Sequence, residues 1–402
     1  MKRLLVALFV VVLTASPALG AAGVLDITYS GDGITVSTFG SAEHVVVDSQ
    51  NRVLVGGQVL PSKIDAGRPS LQRYRANGSL DPTLDGDGRM SLPVAGTVRG
   101  LALQGSNILV ATESALWRLL PNGAPDMSFG TNGKIEFPDS RTVVGRHPLW
   151  ATGSRAYIIL SDPQSGSAIF YFTTDGGHSS ASFWMDIKPV SIALHQGYVY
   201  AVGATYDRFN SGRVIIVRFG TSPNMFLDDN FNQGRGFAYG PTLIYDEYGT
   251  VTAYTPMDIA VNSTSGKITV VGDKYDCYAQ SCSTYNHGFA LRFLSGGALD
   301  TTFGGTGEVW AGCTEDQGGM TSVMLQGGKT VAAGETYTED DNFRRFGVTR
   351  LAANGSVDPT FSRAACYPGL QATTGSIVKD ATLVSGKIVA VGGVYTARYL
   401  AA

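Results

Sequence analysis

The chain has 402 residues, of which 16% are charged, and its formal net charge is −3. This small negative charge, without any basic run, argues against a nucleic-acid-binding protein. The 51 glycines, 18 tyrosines and 18 phenylalanines are typical of many short strands joined by tight turns, so we expect an all-β protein.

The first 20 residues have the features of a secretory signal peptide. Lys2 and Arg3 are followed by an apolar run, Leu4–Leu13, and then by the small-residue site Ala18-Leu19-Gly20. The run is shorter than the ~20 residues that a membrane-spanning helix needs. We therefore expect residues 1–20 to be removed on export. Residues 21–402 should then form one soluble domain that is secreted, periplasmic or held at the cell surface.

Two sequence motifs alternate along the rest of the chain. The first is a predicted hairpin of strands A and B, in which alternating apolar residues flank a polar turn. It occurs at Val45–Gly57, Val98–Ala111, Leu149–Leu160, Val190–Gly203, Met257–Gly272, Thr321–Gly334 and Asp380–Gly393. These repeated hairpins predict seven equivalent units.

The second motif is a strand C, a turn containing Gly, the sequence Leu-Asp-x-x-Phe-Gly and a short strand D. Its aspartates are Asp26, Asp81, Asp126, Asp228, Asp300 and Asp358. One further copy is eroded: Ile169–Gly176 keeps strand C, whereas Ser179–Phe183 keeps only the aromatic residue. Units of four short strands, about 55 residues apart, predict a closed β-propeller rather than a linear solenoid.

Each residue type of the second motif has a predicted structural role. Turn glycines adopt positive φ, and the aspartate accepts hydrogen bonds from amides two residues further on. The phenylalanine is expected to be buried between units. These positions are Gly78, Gly123 and Gly355 for the turn, and Phe129, Phe303 and Phe361 for the aromatic residue.

An arginine also recurs in strand C, and we expect it to pack its stem while its charged head stays in water. The positions are Arg73, Arg118, Arg218, Arg292 and Arg350.

The two ends of the chain supply complementary parts of one unit. Gly23–Tyr29 resembles the second half of a C–D loop, whereas Thr396–Leu400 resembles a strand C. We predict that Ile34–Phe39 pairs antiparallel with Ala397–Leu400, so that the N-terminal strand D completes the seventh four-stranded antiparallel blade. Closure removes the exposed sheet edge that an open array would present.

At Leu80-Asp81-Pro82-Thr83, Leu299–Gly304 and Val357–Phe361, the chain resembles the delta-60 repeat family of bacterial exported proteins. The resemblance extends over nearly all of residues 21–402, although Leu84 and Tyr29 stand where the family usually has Phe. It implies a propeller of exported or surface proteins. It implies no established activity, so no catalytic residue is carried over.

In a propeller with this strand order, the D–A and B–C loops lie on one face and the A–B and C–D loops on the other. The longest predicted loops all fall on the first face, which we call the long-loop face. They are Val59–Ser70, Pro241–Thr255, Lys274–His287, Gly312–Gly319 and Tyr337–Arg345. Long loops on a rigid scaffold commonly carry function.

These loops are rich in tyrosines and acids. Aromatic rings beside carboxylates suit sugar rings, cationic groups or a protein partner. The candidate ligand-binding residues are Tyr245, Tyr248, Tyr254, Tyr275, Tyr278, Tyr285, Tyr337, Asp246, Asp276 and Asp340. The alternative is that they only solvate long loops.

The sequence has few features of a catalytic or metal site. Its histidines, at His44, His147, His178, His195 and His287, are scattered without metal-ligand spacing. No Gly-x-Ser-x-Gly elbow or phosphate loop is present, and the adjacent acids Asp340-Asp341 favour a solvated loop over a hydrolytic pair. Asp85-Gly86-Asp87-Gly88 has too few oxygen ligands for an EF-hand and favours a turn. We therefore expect no cofactor and no metal.

Four cysteines in an exported chain predict disulfides. Cys277 and Cys282 lie close enough in sequence to close a small ring if their Cα atoms approach within ~7 Å. Cys313 and Cys366 fall near strand D in adjacent blades and form a second candidate pair. The alternative is free thiols.

These observations favour a monomeric, exported binding or interaction module. Its ligand would be a glycan, a peptide or a protein bound at the long-loop face, without nucleic acid and without a membrane span. The alternative is a polysaccharide-active enzyme, a hydrolase or lyase that uses carboxylates on the same face. A convergent pair of carboxylates at the pocket would favour this alternative.

Overall fold

The computed structural model describes residues 22–59, 67–162, 166–173, 175–182, 187–206, 212–221, 224–243, 250–278, 281–282, 287–312, 318–337, 344–362 and 377–401. These residues form seven antiparallel sheets and one 3₁₀ turn, Pro138–Ser140. The sheets are the blades of a propeller, and strand A of each blade lines one central channel. The predicted seven-bladed fold is therefore confirmed.

The strands follow the predicted A–B–C–D order. The N-terminal strand is β1 (Ile34–Val36); blade one contains β2 (His44–Val47), β3 (Val53–Gln58), β4 (Pro69–Tyr74) and β5 (Arg89–Ser91); blade two contains β6 (Gly100–Gln104), β7 (Asn107–Ala111), β8 (Ala115–Leu119) and β9 (Lys134–Glu136). Blade three contains β10 (Thr142–Val143), β11 (Leu149–Ala151), β12 (Arg155–Asp162), β13 (Gly166–Thr173) and β14 (His178–Ser182).

Blades four and five have the longest strands. Blade four contains β15 (Ile187–His195), β16 (Tyr198–Tyr206), β17 (Gly212–Gly220), β18 (Phe226–Leu227) and β19 (Phe237–Tyr239); blade five contains β20 (Thr250–Val261), β21 (Ile268–Tyr278), β22 (Ser281–Cys282), β23 (His287–Phe293) and β24 (Glu308–Trp310). Blade six contains β25 (Met320–Gln326), β26 (Lys329–Tyr337) and β27 (Arg344–Leu351); blade seven contains β28 (Asp380–Val384), β29 (Lys387–Gly392) and β30 (Tyr395–Leu400), with β1 at its outer edge.

The N-terminal strand closes the ring, but it pairs with a segment of β30 that only partly overlaps the predicted one. β1 pairs antiparallel with β30, with Ile34 opposite Ala397 and Val36 opposite Tyr395. Leu25 forms a separate bridge to Tyr399 and covers the end of β30. The prediction placed Ile34–Phe39 opposite Ala397–Leu400, whereas the C–D loop itself occupies part of that edge.

Apolar clusters fill the space between neighbouring blades. One cluster joins Leu54 and Leu71 of blade one to Leu101, Ile108 and Trp117 of blade two. Each blade thus buries its apolar side chains against the next, as a repeat architecture requires.

The aromatic residues of the second motif lie in this inter-blade core. Phe129, Phe303 and Phe361 are all buried, as predicted. Leu84 and Tyr29, which replace Phe in two copies, are buried completely. Leucine and tyrosine therefore fill the same apolar site.

A repeated ion pair, which we call the Asp–Arg brace, lies on the face opposite the long loops. In each brace the Nε atom of the strand C arginine donates to Oδ2 of the motif aspartate at 2.6–2.8 Å. The pairs are Arg73–Asp81, Arg118–Asp126, Arg218–Asp228, Arg292–Asp300, Arg350–Asp358 and Arg398–Asp26. The last pair joins the two ends of the chain and was not foreseen.

The arginine heads are enclosed, so the prediction that they stay in water is wrong. The side chains of Arg73 and Arg350 are only 4% exposed. The guanidinium of Arg73 also donates to the carbonyl of Pro121 in the next blade, and that of Arg350 donates to the carbonyl of Ala401. The brace therefore links adjacent blades as well as fixing its own loop.

The motif aspartates also fix their loops as predicted. Oδ1 of Asp358, for example, accepts hydrogen bonds from the backbone amide and the hydroxyl of Thr360. Burial alone would raise the pKa of Asp26, but hydrogen bonds from Lys387 and Thr28 and the charge of Arg398 outweigh it and lower the pKa to about 2. The brace is therefore held in its charged form.

Blade three, which has the eroded motif, forms its link with a different residue. Arg155, at the start of strand B, donates from Nη1 to the carbonyl of Thr221 in blade four at 2.5 Å. Its guanidinium carbon lies 4.2 Å from the ring centroid of Tyr171. Arg155 of strand B thus provides the contact to the next blade that the strand C arginine provides in other blades.

Candidate functional site

The central channel is lined by strand A of all seven blades and has a volume of about 990 Å³. Most of its wall is apolar, with Val45, Leu101 and Ile192 as examples. At one end of the channel lie the polar residues Asn262–Ser265. At the other end, near the start of the strands and toward the long-loop face, lie His147, Asp258, Ser322 and Asp380. We call this end the channel mouth, and it is the candidate functional site.

Two aspartates line the channel mouth at equivalent positions of blades five and seven. Asp258 pairs with Val271 and Asp380 with Val391, one residue before the strand B glycine in each blade. Each carboxylate reaches the next blade, because Oδ2 of Asp258 accepts from the amide of Val323 at 2.8 Å and Oδ2 of Asp380 from that of Val45 at 2.9 Å. The two carboxylates therefore connect neighbouring A strands around the channel.

Serines occupy the same register position in blades four and six. The hydroxyl of Ser191 donates to Oδ1 of Asp258 at 2.8 Å. Ser322 lies near Asp380, with its Oγ 3.4 Å from Oδ1, and it accepts from the amide of Ala381. Serine and aspartate thus alternate through four successive blades and saturate much of the hydrogen-bonding capacity of both carboxylates.

Two histidines join Asp380 on the other side of the mouth. His44 begins strand A of blade one, and His147 precedes strand A of blade three. Nδ1 of His147 lies 3.6 Å from Oδ1 of Asp380, and one nitrogen of His44 completes a group whose atoms lie within 4.8 Å of one another. The ring thus brings together residues that are far apart in the chain, and their sequence spacing showed no sign of this group.

The ionisation of these groups is shaped by burial. Burial is the main cause that raises the pKa of Asp380, and the nearby charge of Asp258 acts in the same direction. Burial and the charges of His147, Arg146 and Arg99 lower the pKa of His44 to about 3. His44 is therefore a neutral imidazole at pH 7.

The second feature of this face is a β-ribbon that extends blade five. Thr250–Pro256 of β20 pairs with Gly272–Tyr278 of β21, beyond the part of the hairpin that lines the channel. We call these two segments, together with β22, the blade-five ribbon. Strand A of blade five has 12 residues, compared with 5 in blade two. Much of the predicted loops Pro241–Thr255 and Lys274–His287 is therefore strand.

Side-chain alternation explains why this segment forms strands. Val251, Ala253 and Cys277 are buried together on one side of the ribbon. On the other side, the hydroxyl of Thr252 donates to Oδ1 of the exposed Asp276 at 3.0 Å. One buried and one solvated side is the pattern of an antiparallel pair.

The predicted ligand-binding residues of the ribbon have different environments. Tyr275 is half-buried and donates from its hydroxyl to Oδ2 of Asp273 at 3.1 Å, whereas Asp276 is exposed. Tyr254 is buried and donates to Oε2 of Glu308 at 2.9 Å, so its ring is not an exposed plate. Burial and the charge of Glu308 raise the pKa of Tyr254.

The remaining predicted ligand-binding residues are not described to the same extent. Only the backbone is described for Tyr278 and Tyr337. Tyr245, Tyr248, Tyr285, Asp246 and Asp340 lie outside the described residues. Their part in binding stays a prediction.

The ribbon also brings the first predicted cysteine pair together in register. Cys277 lies opposite Cys282 in the pairing of β21 with β22, and the described residues contain no free cysteine. Cys313 and Cys366 lie outside the described residues. Both predicted bridges stay predictions.

The Asp85–Gly88 segment is a turn, as the sequence favoured. Asp85 and Gly86 both have positive φ, and Oδ1 of Asp87 accepts from the amide of Arg89 at 2.8 Å. The His44–His147–Asp380 cluster is the potential metal-ligand group found within the described part of the chain.

Comparison with known proteins supports the fold. A family model described as a domain of unknown function (DUF5122) β-propeller matches residues 328–361, which include strands B and C of blade six and the Asp motif that follows them. The match supports a propeller repeat family. No curated protein sequence matches the chain.

Several solved propeller structures are similar in fold at low sequence identity. Extracellular domains 1–2 of Drosophila semaphorin 1a are 9% identical, with a TM-score of 0.49, over 91% of this chain and 87% of that one. The Neurospora crassa Pan2 WD40 domain is 8% identical, with a TM-score of 0.44, over 90% of this chain and 89% of that one.

Within the described residues, no helix is long and apolar enough to cross a membrane.

Proposed function

We propose that this protein is an exported binding module that recognises a glycan, peptide or protein ligand at its long-loop face. The observation that carries the proposal is the blade-five ribbon, which extends past the channel mouth with the half-buried Tyr275 on one side and the exposed Asp276 on the other. The Tyr275 ring, whose hydroxyl donates to Asp273, is held on paired strands and is therefore a preorganised surface for a polar ligand.

The base of the ribbon is anchored in a way that supports this role. Glu308 of strand D accepts from Tyr254 at 2.9 Å and pairs with Lys274 at 2.9 Å, so both ribbon strands are tied to the blade. A bridge between Cys277 and Cys282 would stiffen the tip as well. Both features lower the conformational entropy that the ligand-binding surface loses on binding.

Arrays of glycans and peptides test the proposal directly. We expect the protein without residues 1–20 to bind a subset of these ligands, and Tyr275→Ala to weaken each hit at least tenfold. Phe226→Ala is the matched control, because Phe226 is an exposed aromatic residue of the C–D loop of blade four. The proposal fails if the protein binds nothing on either array, or if Tyr275→Ala and Phe226→Ala behave alike.

A polysaccharide-active enzyme is the second candidate, and the observation that favours it is the pair Asp258 and Asp380 at the channel mouth. Both carboxylates already accept backbone hydrogen bonds from the next blade, so we favour their role as connectors between strands. Release of reducing or unsaturated ends from a polysaccharide panel, abolished by Asp258→Asn, would support the enzyme and overturn this preference.

We also propose that the protein is exported and that it belongs to the delta-60 repeat family. The basic start, the apolar run and the small-residue site of residues 1–20 support export. Expression in a bacterial host, followed by N-terminal sequencing of the exported protein, should give a start near Ala21. A protein retained in the cytoplasm with residues 1–20 intact would contradict export.

A further inference from the structure

Three side chains with metal-ligating atoms converge at the channel mouth, where blades one, three and seven approach one another. We propose that His44, His147 and Asp380 bind one divalent transition-metal ion of the zinc class. His147 and Asp380 line the channel, so the remaining coordination position of the ion faces its interior. This site is distinct from the ribbon surface.

The hydrogen bonds of His147 point its free nitrogen toward Asp380. Nε2 lies 3.1 Å from the carbonyl oxygen of Thr321, which can only accept, so Nε2 carries the proton. In the neutral ring, Nδ1 then presents a lone pair to Oδ1 of Asp380 at 3.6 Å. Two acceptors that face each other across this distance favour a cation between them.

The other two ligands are also held by backbone groups. His44 is hydrogen bonded to the backbone of Val98, and Asp380 accepts from the amides of Val45 and Ala381. Protein metal sites commonly orient histidine ligands by bonding the second ring nitrogen to a carbonyl, and they also hydrogen bond their carboxylate ligands. All three side chains therefore have the outer contacts of metal ligands.

The distances suit a small ion after a modest adjustment. Ligands ~2.1 Å from a tetrahedral zinc ion are about 3.4 Å apart. The separation between His147 and Asp380, 3.6 Å, is close to this value. The full group lies within 4.8 Å, so side-chain shifts of up to about 1.4 Å would complete the geometry.

The donor set selects the class of ion. Two imidazoles and one carboxylate suit zinc and similar transition metals, whereas calcium and magnesium prefer sets of oxygen ligands. Asp258 and Glu43 add negative charge nearby, and Arg99, Arg146 and Lys379 add positive charge. Charges of both signs therefore surround the site, and the affinity for the ion would come from direct coordination rather than from long-range electrostatic attraction.

Calorimetric titration with Zn²⁺ tests the site in the chelator-treated protein without residues 1–20. We expect one bound ion, with affinity weakened about 100-fold or more in His44→Ala and in His147→Ala. His178→Ala is the matched control, because His178 is an exposed histidine of blade three, and it should bind as the parent does. Co²⁺ should give the visible absorption of a tetrahedral site with nitrogen and oxygen ligands.

Two outcomes would overturn the proposal: no saturable Zn²⁺ binding by the parent, or equal weakening in the control. If either ligand variant fails to fold, imidazole NMR signals of the parent decide. Zinc-dependent shifts confined to His44 and His147 support the site. Shifts confined to other histidines, or a proton on Nδ1 of His147 that zinc does not displace, would identify the contact with Asp380 as an ordinary ion pair.

Discussion

The two faces of this propeller are built differently. On the braced face, six copies of one ion pair repeat with nearly the same geometry. At the channel mouth, the equivalent strand A position is occupied by Ser191, Asp258, Ser322 and Asp380 in blades four to seven. The repeated residues build the ring, and the residues that differ between blades give the mouth its chemistry.

Removing the N-terminal segment should have the largest effect on the braced face. Deleting residues 22–40 from the chain without residues 1–20 leaves β30 as an exposed edge and Arg398 without Asp26. We expect aggregation, measured by size-exclusion chromatography. Ile27→Ser, at an exposed position of the same segment, should remain monomeric. A monomeric deletion variant as stable as the parent would refute the closure argument.

Acid should weaken the braced face through several blades at once. The pKa of Asp26 is lowered to about 2 and those of Asp300 and Asp358 are also lowered, so the unfolded chain binds more protons below about pH 4. The stability from these pairs is therefore present above pH 4 and is lost as the pH falls toward 2. Asp380, whose pKa is raised, acts in the opposite direction.

Urea unfolding at pH 7, 4 and 2.5 measures this effect. The urea midpoint should fall between pH 4 and 2.5, because the unfolding free energy loses on the order of 1–2 kcal/mol for each brace that is protonated. A midpoint that stays level or rises over this range would mean that the mouth, and not the braces, dominates acid stability.

Removing Arg350 from its brace should cost about 3 kcal/mol of unfolding free energy, because the buried Asp358 then keeps only the partly exposed Lys329 as a cationic partner. In Arg350→Met, Asp358 loses its guanidinium and the contact to Ala401 of blade seven is lost. Arg99→Met is the control, because the Arg99–Glu113 pair is exposed and screened and should change stability by less than about 1 kcal/mol. Equal losses in the two variants would contradict a structural role for the brace.

The substitute link of blade three should matter less. Arg155 donates to Thr221 and stacks on Tyr171, so Arg155→Met should cost about 1 kcal/mol in thermal or urea unfolding. A loss as large as that of Arg350→Met would show that the guanidinium contact between blades, rather than the buried carboxylate pair, carries the energy.

The sequence predicted the ring because the repeated residues have local roles. Asp358 accepts a hydrogen bond from Thr360 two residues away, and Phe303 fills an apolar site that recurs around the ring. The repeat period and the residue types were therefore sufficient to predict the propeller. The enclosure of the arginine heads was missed, because it depends on a carbonyl of the next blade.

The channel mouth was not predictable in the same way. His44, His147 and Asp380 belong to three blades, and no spacing in the sequence relates them. His44 and Asp380 both stand at the start of a strand A, and a closed ring places these starts at one end of the channel. This shared position is the one signal in the sequence that the two residues lie close together. The ribbon was missed because its Tyr-rich segment resembles a loop, although Val251, Ala253 and Cys277 form a buried side.

The division between the two faces is tested most directly by urea unfolding of Arg292→Met and His44→Ala side by side, in the presence of a chelator. Arg292 pairs with the buried Asp300 on the braced face, whereas His44 lies at the mouth. We expect the Arg292→Met variant to lose about 3 kcal/mol and the His44→Ala variant about 1 kcal/mol or less. An equal or larger loss in His44→Ala would contradict the assignment of stability to the braces.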